Sequence, residues 1–279
     1  MRPVLVAVVT VLTPLAAFAQ GDIRSVDFNN FTYEVEFCQT EASNKITVSN
    51  GEFYEEKEVD GYTDRRFFSV SGFTYGDLDG DGKDEAVVIS VCNTGGTGNF
   101  TEAYVFTWRG GEAKRIVTLE GGDRAYGGLR EIRIVDRKMI VEASDPGEMG
   151  GACCPEEVVT RTYRLKGNSL EEIGKPERRE LFPASRVAFE KGASSATLEI
   201  ELGDDPGIRR FVIGASKGQT LTVKADLENV RFRLIKGEAE IEEESKTLLA
   251  ELLEDGDFVF EIRNFGEGDL KTKMIVTIR

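Results

Sequence analysis

The densest chemistry in the sequence lies in nine consecutive residues, Asp77-Leu78-Asp79-Gly80-Asp81-Gly82-Lys83-Asp84-Glu85, followed by the apolar run Ala86-Val87-Val88-Ile89. Carboxylates packed this closely repel one another unless a cation sits among them. A hard divalent ion such as Ca²⁺ takes about six to eight oxygen ligands. A chain curling around such an ion would offer Asp77, Asp79 and Asp81 from alternate positions, then the Lys83 backbone carbonyl, then Glu85, with Gly82 permitting the sharp bend. An EF-hand also needs a bidentate acid three residues beyond Glu85, and Val88 stands there, inside an expected strand. The spacing therefore predicts a calcium loop that is not an EF-hand. A cage built from protein oxygens suits Ca²⁺ better than the smaller Mg²⁺, which keeps its waters.

The run Gly76-Asp77-Leu78-Asp79-Gly80-Asp81-Gly82 resembles the inter-strand loop of FG-GAP and VCBS-type repeats. That resemblance implies calcium binding. The chain carries the loop once, whereas propeller blades must repeat to bury their faces, so a propeller is not expected. Around the loop, residues 27–33, 92–100, 120–128 and 150–155 resemble a wider group of exported bacterial domains, and that resemblance implies no activity.

Other chemistries are limited by composition. The 279 residues include no histidine, which removes Ser-His-Asp and Cys-His nucleophiles and His-ligated metals. With 50 acidic and 35 basic side chains the formal charge is −15, the wrong sign for gripping nucleic-acid phosphates. No Gly-x-Ser-x-Gly elbow or P-loop stands in a strand-turn-helix context. The enzyme reading that remains is a carboxylate pair acting on a glycoside, drawn from Asp123, Asp145 and Glu148 beside Arg124 in Gly-rich stretches. Against it, such acids serve equally to cap turns and pair with Arg124 or Arg130. No catalytic residue is assigned.

Four cysteines, Cys38, Cys92, Cys153 and Cys154, would staple the region around the loop. Arg2, an apolar run from Val4 to Leu15 and the Ala17-Phe18-Ala19 cleavage pattern predict a signal peptide over residues 1–19. Export, to the periplasm or beyond the cell, places the thiols where disulfides persist. Because a bridge between the neighbours Cys153 and Cys154 closes a strained ring, two long-range bridges are favoured, Cys38 and Cys92 each taking one of the adjacent pair. A single bridge with two free thiols is the alternative.

The elements that must position these groups read as strands. Short alternating runs separated by Gly pairs fill residues 22–175, and similar runs fill 186–279, with residues 174–180 reading as a linker. The expected fold class is all-β, mainly antiparallel, in two β-rich domains, the second a β-sandwich. Residues 245–253 also fit a helical period but are assigned as strand within an all-β pattern. The turns Gly192-Ala193-Ser194-Ser195-Ala196, Ala215-Ser216-Lys217-Gly218-Gln219-Thr220 and Gly256-Asp257-Phe258 resemble those of periplasmic inhibitors of g-type lysozyme and of pre-peptidase C-terminal β-sandwich domains. The resemblance implies a lysozyme or another envelope protein as partner, met through Ser194, Ser195 and Arg263. Where those inhibitors carry an arginine-rich tract, this chain has Arg263-Asn264-Phe265-Gly266-Glu267-Gly268-Asp269. The expected function is an exported, calcium-stabilised, non-catalytic binding protein. The alternatives are a wall- or polysaccharide-active hydrolase and a purely structural envelope protein.

Overall fold

The structure, a computed structural model, describes residues 21–39, 43–148, 150–203 and 207–279. The expected signal peptide lies outside them. The chain divides into two compact units meeting at Arg179 and Glu180. Both are built from β-strands, and the only helical element among the described residues is a single 3₁₀ turn, Ile23–Ser25. No described helix is long and apolar enough to cross a membrane.

Among the described residues the first unit holds eleven strands. A small ribbon of β1 (Thr32–Glu34) and β2 (Lys45–Thr47) precedes a five-stranded antiparallel sheet. That sheet is a meander of β3 (Glu52–Val59), β4 (Tyr62–Gly76), β5 (Glu85–Asn93), β6 (Phe100–Arg109) and β7 (Glu112–Asp123). A second meander follows: β8 (Leu129–Val135), β9 (Lys138–Asp145), β10 (Glu157–Lys166) and β11 (Ser169–Glu180). Strands β5 and β6 explain how these pieces stack. Their side chains are buried on both faces, as continuous apolar runs require. Ala86, Val88, Tyr104 and Phe106 face an aromatic cluster with Phe28, Tyr33 and Ile46 from the N-terminal segment. Val87, Ile89, Ala103 and Val105 face Ile132, Met139 and Val141 from the second meander. The five-stranded sheet is thus the middle of three layers.

Residues 174–180, expected as a linker, are instead the end of β11. This strand lies at the sheet edge and is exposed along most of its length, so no apolar alternation is needed to hold it. Backbone pairing and ion pairs hold it instead, Arg178 to Glu157 at 2.9 Å and Arg179 to Glu142 at 2.9 Å. Pro176 is tolerated because an edge strand has backbone donors with no ladder partner.

The second unit is the expected sandwich. Its strands are β12 (Ser185–Arg186), β13 (Ser195–Leu202), β14 (Ile208–Ala215), β15 (Thr220–Ala225), β16 (Val230–Lys236), β17 (Ala239–Glu244), β18 (Thr247–Leu252), β19 (Gly256–Asn264) and β20 (Leu270–Ile278). One sheet runs in the order β12-β14-β19-β16 and the other β13-β20-β15-β18-β17. Phe211, Ile213, Phe232, Phe258 and Phe260 from the first interdigitate with Leu221, Val223, Leu248, Met274 and Val276 from the second. The ambiguous segment is β18, whose Leu248, Ala250 and Leu252 are buried at a period of two.

Candidate functional site

Strands β4 and β5 pair from Phe67 opposite Asn93 to Gly76 opposite Glu85, and that last rung pins the two ends of the acidic loop together. Within the loop Asp77, Asp79 and Asp81 each fold back on the backbone ahead. Asp77 Oδ1 accepts the Gly80 N–H at 2.6 Å and its Oδ2 accepts the Gly82 N–H at 3.2 Å. Asp79 Oδ1 accepts from Asp81 at 3.0 Å, and Asp81 Oδ1 accepts from Lys83 at 2.8 Å. The bonds of Asp79 and Asp81 are successive Asx turns, and the loop winds tightly enough to need positive φ at Gly80 (84°) and Gly82 (83°). Leu78, 2% exposed, plugs the loop into the core beneath it.

Glu85 closes the ring from inside. It is fully buried, its Oε2 accepting the Leu78 N–H at 2.9 Å and its Oε1 the Thr107 hydroxyl at 3.1 Å. Burial pushes its carboxyl above the ordinary carboxylate range, and the neighbouring Asp79 charge pushes the same way. Oxygens of Asp77, Asp79 and Glu85 all lie within 4.8 Å of one another. Two oxygens bound at about 2.4 Å to one calcium can be at most about 4.8 Å apart, and the three carboxylates lie inside that ceiling. Asp81 stands outside the group of three, engaged with the Lys83 N–H. Asp84 is drawn away by Arg24 at 2.5 Å. Beside the loop, a cavity of about 360 Å³ is lined by Asp22, Arg24, Gly82, Lys83, Asp84 and Trp108.

Two of the carboxylates of the enzyme reading are engaged with backbone and arginine partners. Asp123 accepts the Asn99 N–H at 2.7 Å and pairs with Arg124 at 3.0 Å, contacts that hold its carboxyl below the ordinary range. Asp145 caps the turn at Gly147 and pairs with Arg178 at 3.2 Å. Glu148 is exposed. Asp123 and Asp145 each serve a backbone N–H and an ion pair of their own.

The cysteine pairing differs from the favoured expectation. Cys38 joins Cys92, with Cα atoms 5.8 Å apart, and Cys153 joins Cys154. Burial decides this. Cys38 and Cys92 are enclosed in the aromatic core of the first unit, whereas Cys153 and Cys154 are exposed on a turn closed by a single rung between Gly151 and Cys154. In the second unit, Ser194 is exposed and Ser195 pairs through its hydroxyl with Thr277 at 3.2 Å, in the β13 sheet. Arg263 belongs to the opposite sheet and pairs with the buried Glu261 at 3.3 Å. Facing Arg263 across the ladder is Arg231, a residue that sequence reasoning did not single out. The alternation Val230-Arg231-Phe232-Arg233 was a usable signal for an arginine-bearing face, but the partner strand was not.

No protein-family model and no curated protein matches the chain. Solved structures similar to part of it include the periplasmic lysozyme inhibitor of g-type lysozyme, PliG, from Aeromonas hydrophila, at 20% identity and TM-score 0.31, covering 35% of this chain and 97% of that one. A mutant of the Escherichia coli PliG matches at 18% identity and TM-score 0.29, with 34% and 97% covered. The Salmonella Typhimurium PliG matches at 17% and 0.29, again with 34% and 97% covered.

Proposed function

We propose that this is an exported, non-catalytic binding protein whose first unit is braced by calcium at Asp77, Asp79 and Glu85 and whose second unit engages a cationic envelope partner of the lysozyme type. The observation that carries the reading is the contrast between the two sets of acids. Three carboxylates bring oxygens within 4.8 Å of one another in the loop, a spacing that a shared ion would need. Asp123 and Asp145 are each tied to a backbone N–H and an arginine, where they hold structure, and Glu148 is exposed. Asp81 and the Lys83 carbonyl complete the proposed oxygen set. When bound, the ion would supply the positive charge that the clustered carboxylates lack.

The lysozyme reading rests on the three turns described above and on charge. Lysozymes are generally cationic, so a partner of net charge −15 gains encounter rate by electrostatic attraction. Ser194, Ser195 and Arg263 occupy different sheets, so contact through all three would need separate loops of the partner. Assays of g-type lysozyme at saturating protein should show inhibition that salt weakens. Full enzyme activity under those conditions removes the inhibitory reading and leaves the calcium brace to be judged by its own melt.

A further inference from the structure

The outer face of the β12-β14-β19-β16 sheet breaks a rule of sheet electrostatics. Alternation along β16 sends Val230 and Phe232 into the core and leaves Arg231 and Arg233 outside. Strand β19 buries Phe258, Phe260 and Ile262 in the core and turns Glu261 and Arg263 to the outer face, where β14 adds Arg210. The register sets Arg231 opposite Arg263, and Glu261 between Arg233 and Arg210. Four arginines therefore share this face with one carboxylate. Glu261, 3% exposed, is already held by Arg210, which donates from Nη2 at 3.1 Å and Nε at 3.3 Å, and by Arg263 at 3.3 Å.

Like charges directly opposite in a ladder destabilise it. Among the described residues no carboxylate lies within ion-pair distance of Arg231 or Arg233, although the chain has 50 acidic side chains against 35 basic ones. Arg231 lies over the Phe265 ring, 4.9 Å from its centroid, and that ring is 59% exposed. Arg231, Arg233, Arg263 and Phe265 together line a cavity of about 230 Å³. Glu244 also lines it, with its Oε1 engaged by the Leu234 N–H at 2.8 Å. Two arginines on one face with no carboxylate at ion-pair distance among the described residues are suited to an anion from outside the chain. Guanidinium forks match oxyanions in shape and donate charge-assisted hydrogen bonds to them. A carboxylate offers two oxygens, whereas a tetrahedral phosphate offers three, which suits three guanidinium groups around one cavity.

We infer that this face is a phosphate-binding site, with Arg231 and Arg233 as the residues that grip the anion and Arg263 shared between it and Glu261. The inference is independent of the calcium loop, which lies in the other unit. The full chain, loaded with calcium, is titrated calorimetrically with inorganic phosphate, glycerol phosphate and malonate, and sedimented with vesicles of phosphatidylglycerol in phosphatidylcholine. Binding of phosphate, weakened about tenfold for each arginine removed in R231Q and R233Q and further in the double variant, is the expected result. The variant K271Q/K273Q removes equal charge from the opposite sheet and should bind as the parent does. Glycerol phosphate binding as tightly as the vesicles assigns the site to soluble phosphate esters; vesicles binding far more tightly assign it to lipid headgroups. Failure of phosphate to bind, malonate binding equally well, or equal weakening in K271Q/K273Q overturns the site. Circular dichroism of the double variant confirms that these exposed substitutions leave the sandwich folded.

Discussion

The two units solve the same problem, covering β-sheets, by different means. The second is a sandwich with one continuous core whose aromatic side chains come from facing sheets, and it contains no cysteine. The first has three layers, so its apolar interior is divided between two clusters on either face of the middle sheet. A thin layer such as the segment around Phe28 and Tyr33 cannot bury itself without help, and the help is visible. A buried disulfide ties Cys38 to β5, a buried glutamate ties Leu78 to β6, and another, Glu102, receives the Tyr104 hydroxyl at 2.6 Å. Both units carry buried polar ties, the sandwich through Glu261 with Arg210 and Arg263. Where burial is divided, a buried covalent tie is added.

That contrast can be broken most forcefully from the apolar side. Phe258→Ala empties a fully buried site in the sandwich and should cost about 3–5 kcal/mol, seen as faster amide exchange throughout residues 195–278. Exchange that rises only beside residue 258 would mean the core is not one cooperative unit. On the covalent side, Cys38→Ser with Cys92→Ser opens a loop whose ends are 54 residues apart, worth about 4 kcal/mol. The loss should be read in the first unit, whose Trp108 is the only tryptophan and so a clean fluorescent reporter. The same double change at Cys153 and Cys154 closes no such loop and lies on an exposed turn, so it should shift stability by less than about 0.5 kcal/mol. Equal effects of the two changes would contradict the role given to burial.

The ion comes next in size. Calcium at about a hundred times its dissociation constant should stabilise the first unit by about 3 kcal/mol over the chelated protein. Trp108 lines the cavity shared with Gly82, Lys83 and Asp84, so its emission should also move as calcium is added. Asp79→Ala should abolish both responses. A melt indifferent to chelator would remove the brace from the first unit.

How much of this was legible in the sequence depended on how local each feature is. The acidic loop was legible because its aspartates reach backbone groups only two to five residues ahead, a distance that spacing alone encodes. The sandwich was legible because runs such as Leu221-Thr222-Val223 and Phe258-Val259-Phe260 alternate whatever strand they pair with. The cysteine pairing was not, since it turns on which thiols the three layers enclose. The strand at 174–180 escaped because an exposed edge carries no apolar pattern. The arginine face escaped because Arg231 and Arg263 meet only through the β16–β19 register, which neither strand specifies alone.

The smallest expected effect tests the polar ties themselves. Glu102 is 4% exposed on β6, and the backbone amides of Phe37 and Glu36 donate to it along with Tyr104. Burial nevertheless holds its carboxyl above the ordinary value, so the folded state favours the protonated form. The sign follows from linkage. In the unfolded chain this group titrates near 4.5, so its stabilising contribution is complete below that pH. It is lost as pH rises from there through the folded value, at up to about 1.4 kcal/mol per pH unit inside that window, and the loss levels off above it. Glu102→Gln removes the titration while keeping an acceptor for Tyr104. Denaturant melts followed by Trp108 emission, run in chelator across the acid range, should therefore show a shallower decline with pH in the variant than in the parent. Parallel slopes would mean that the ionised carboxylate is fully satisfied by its three donors, and that this tie braces the thin layer without any cost from burial.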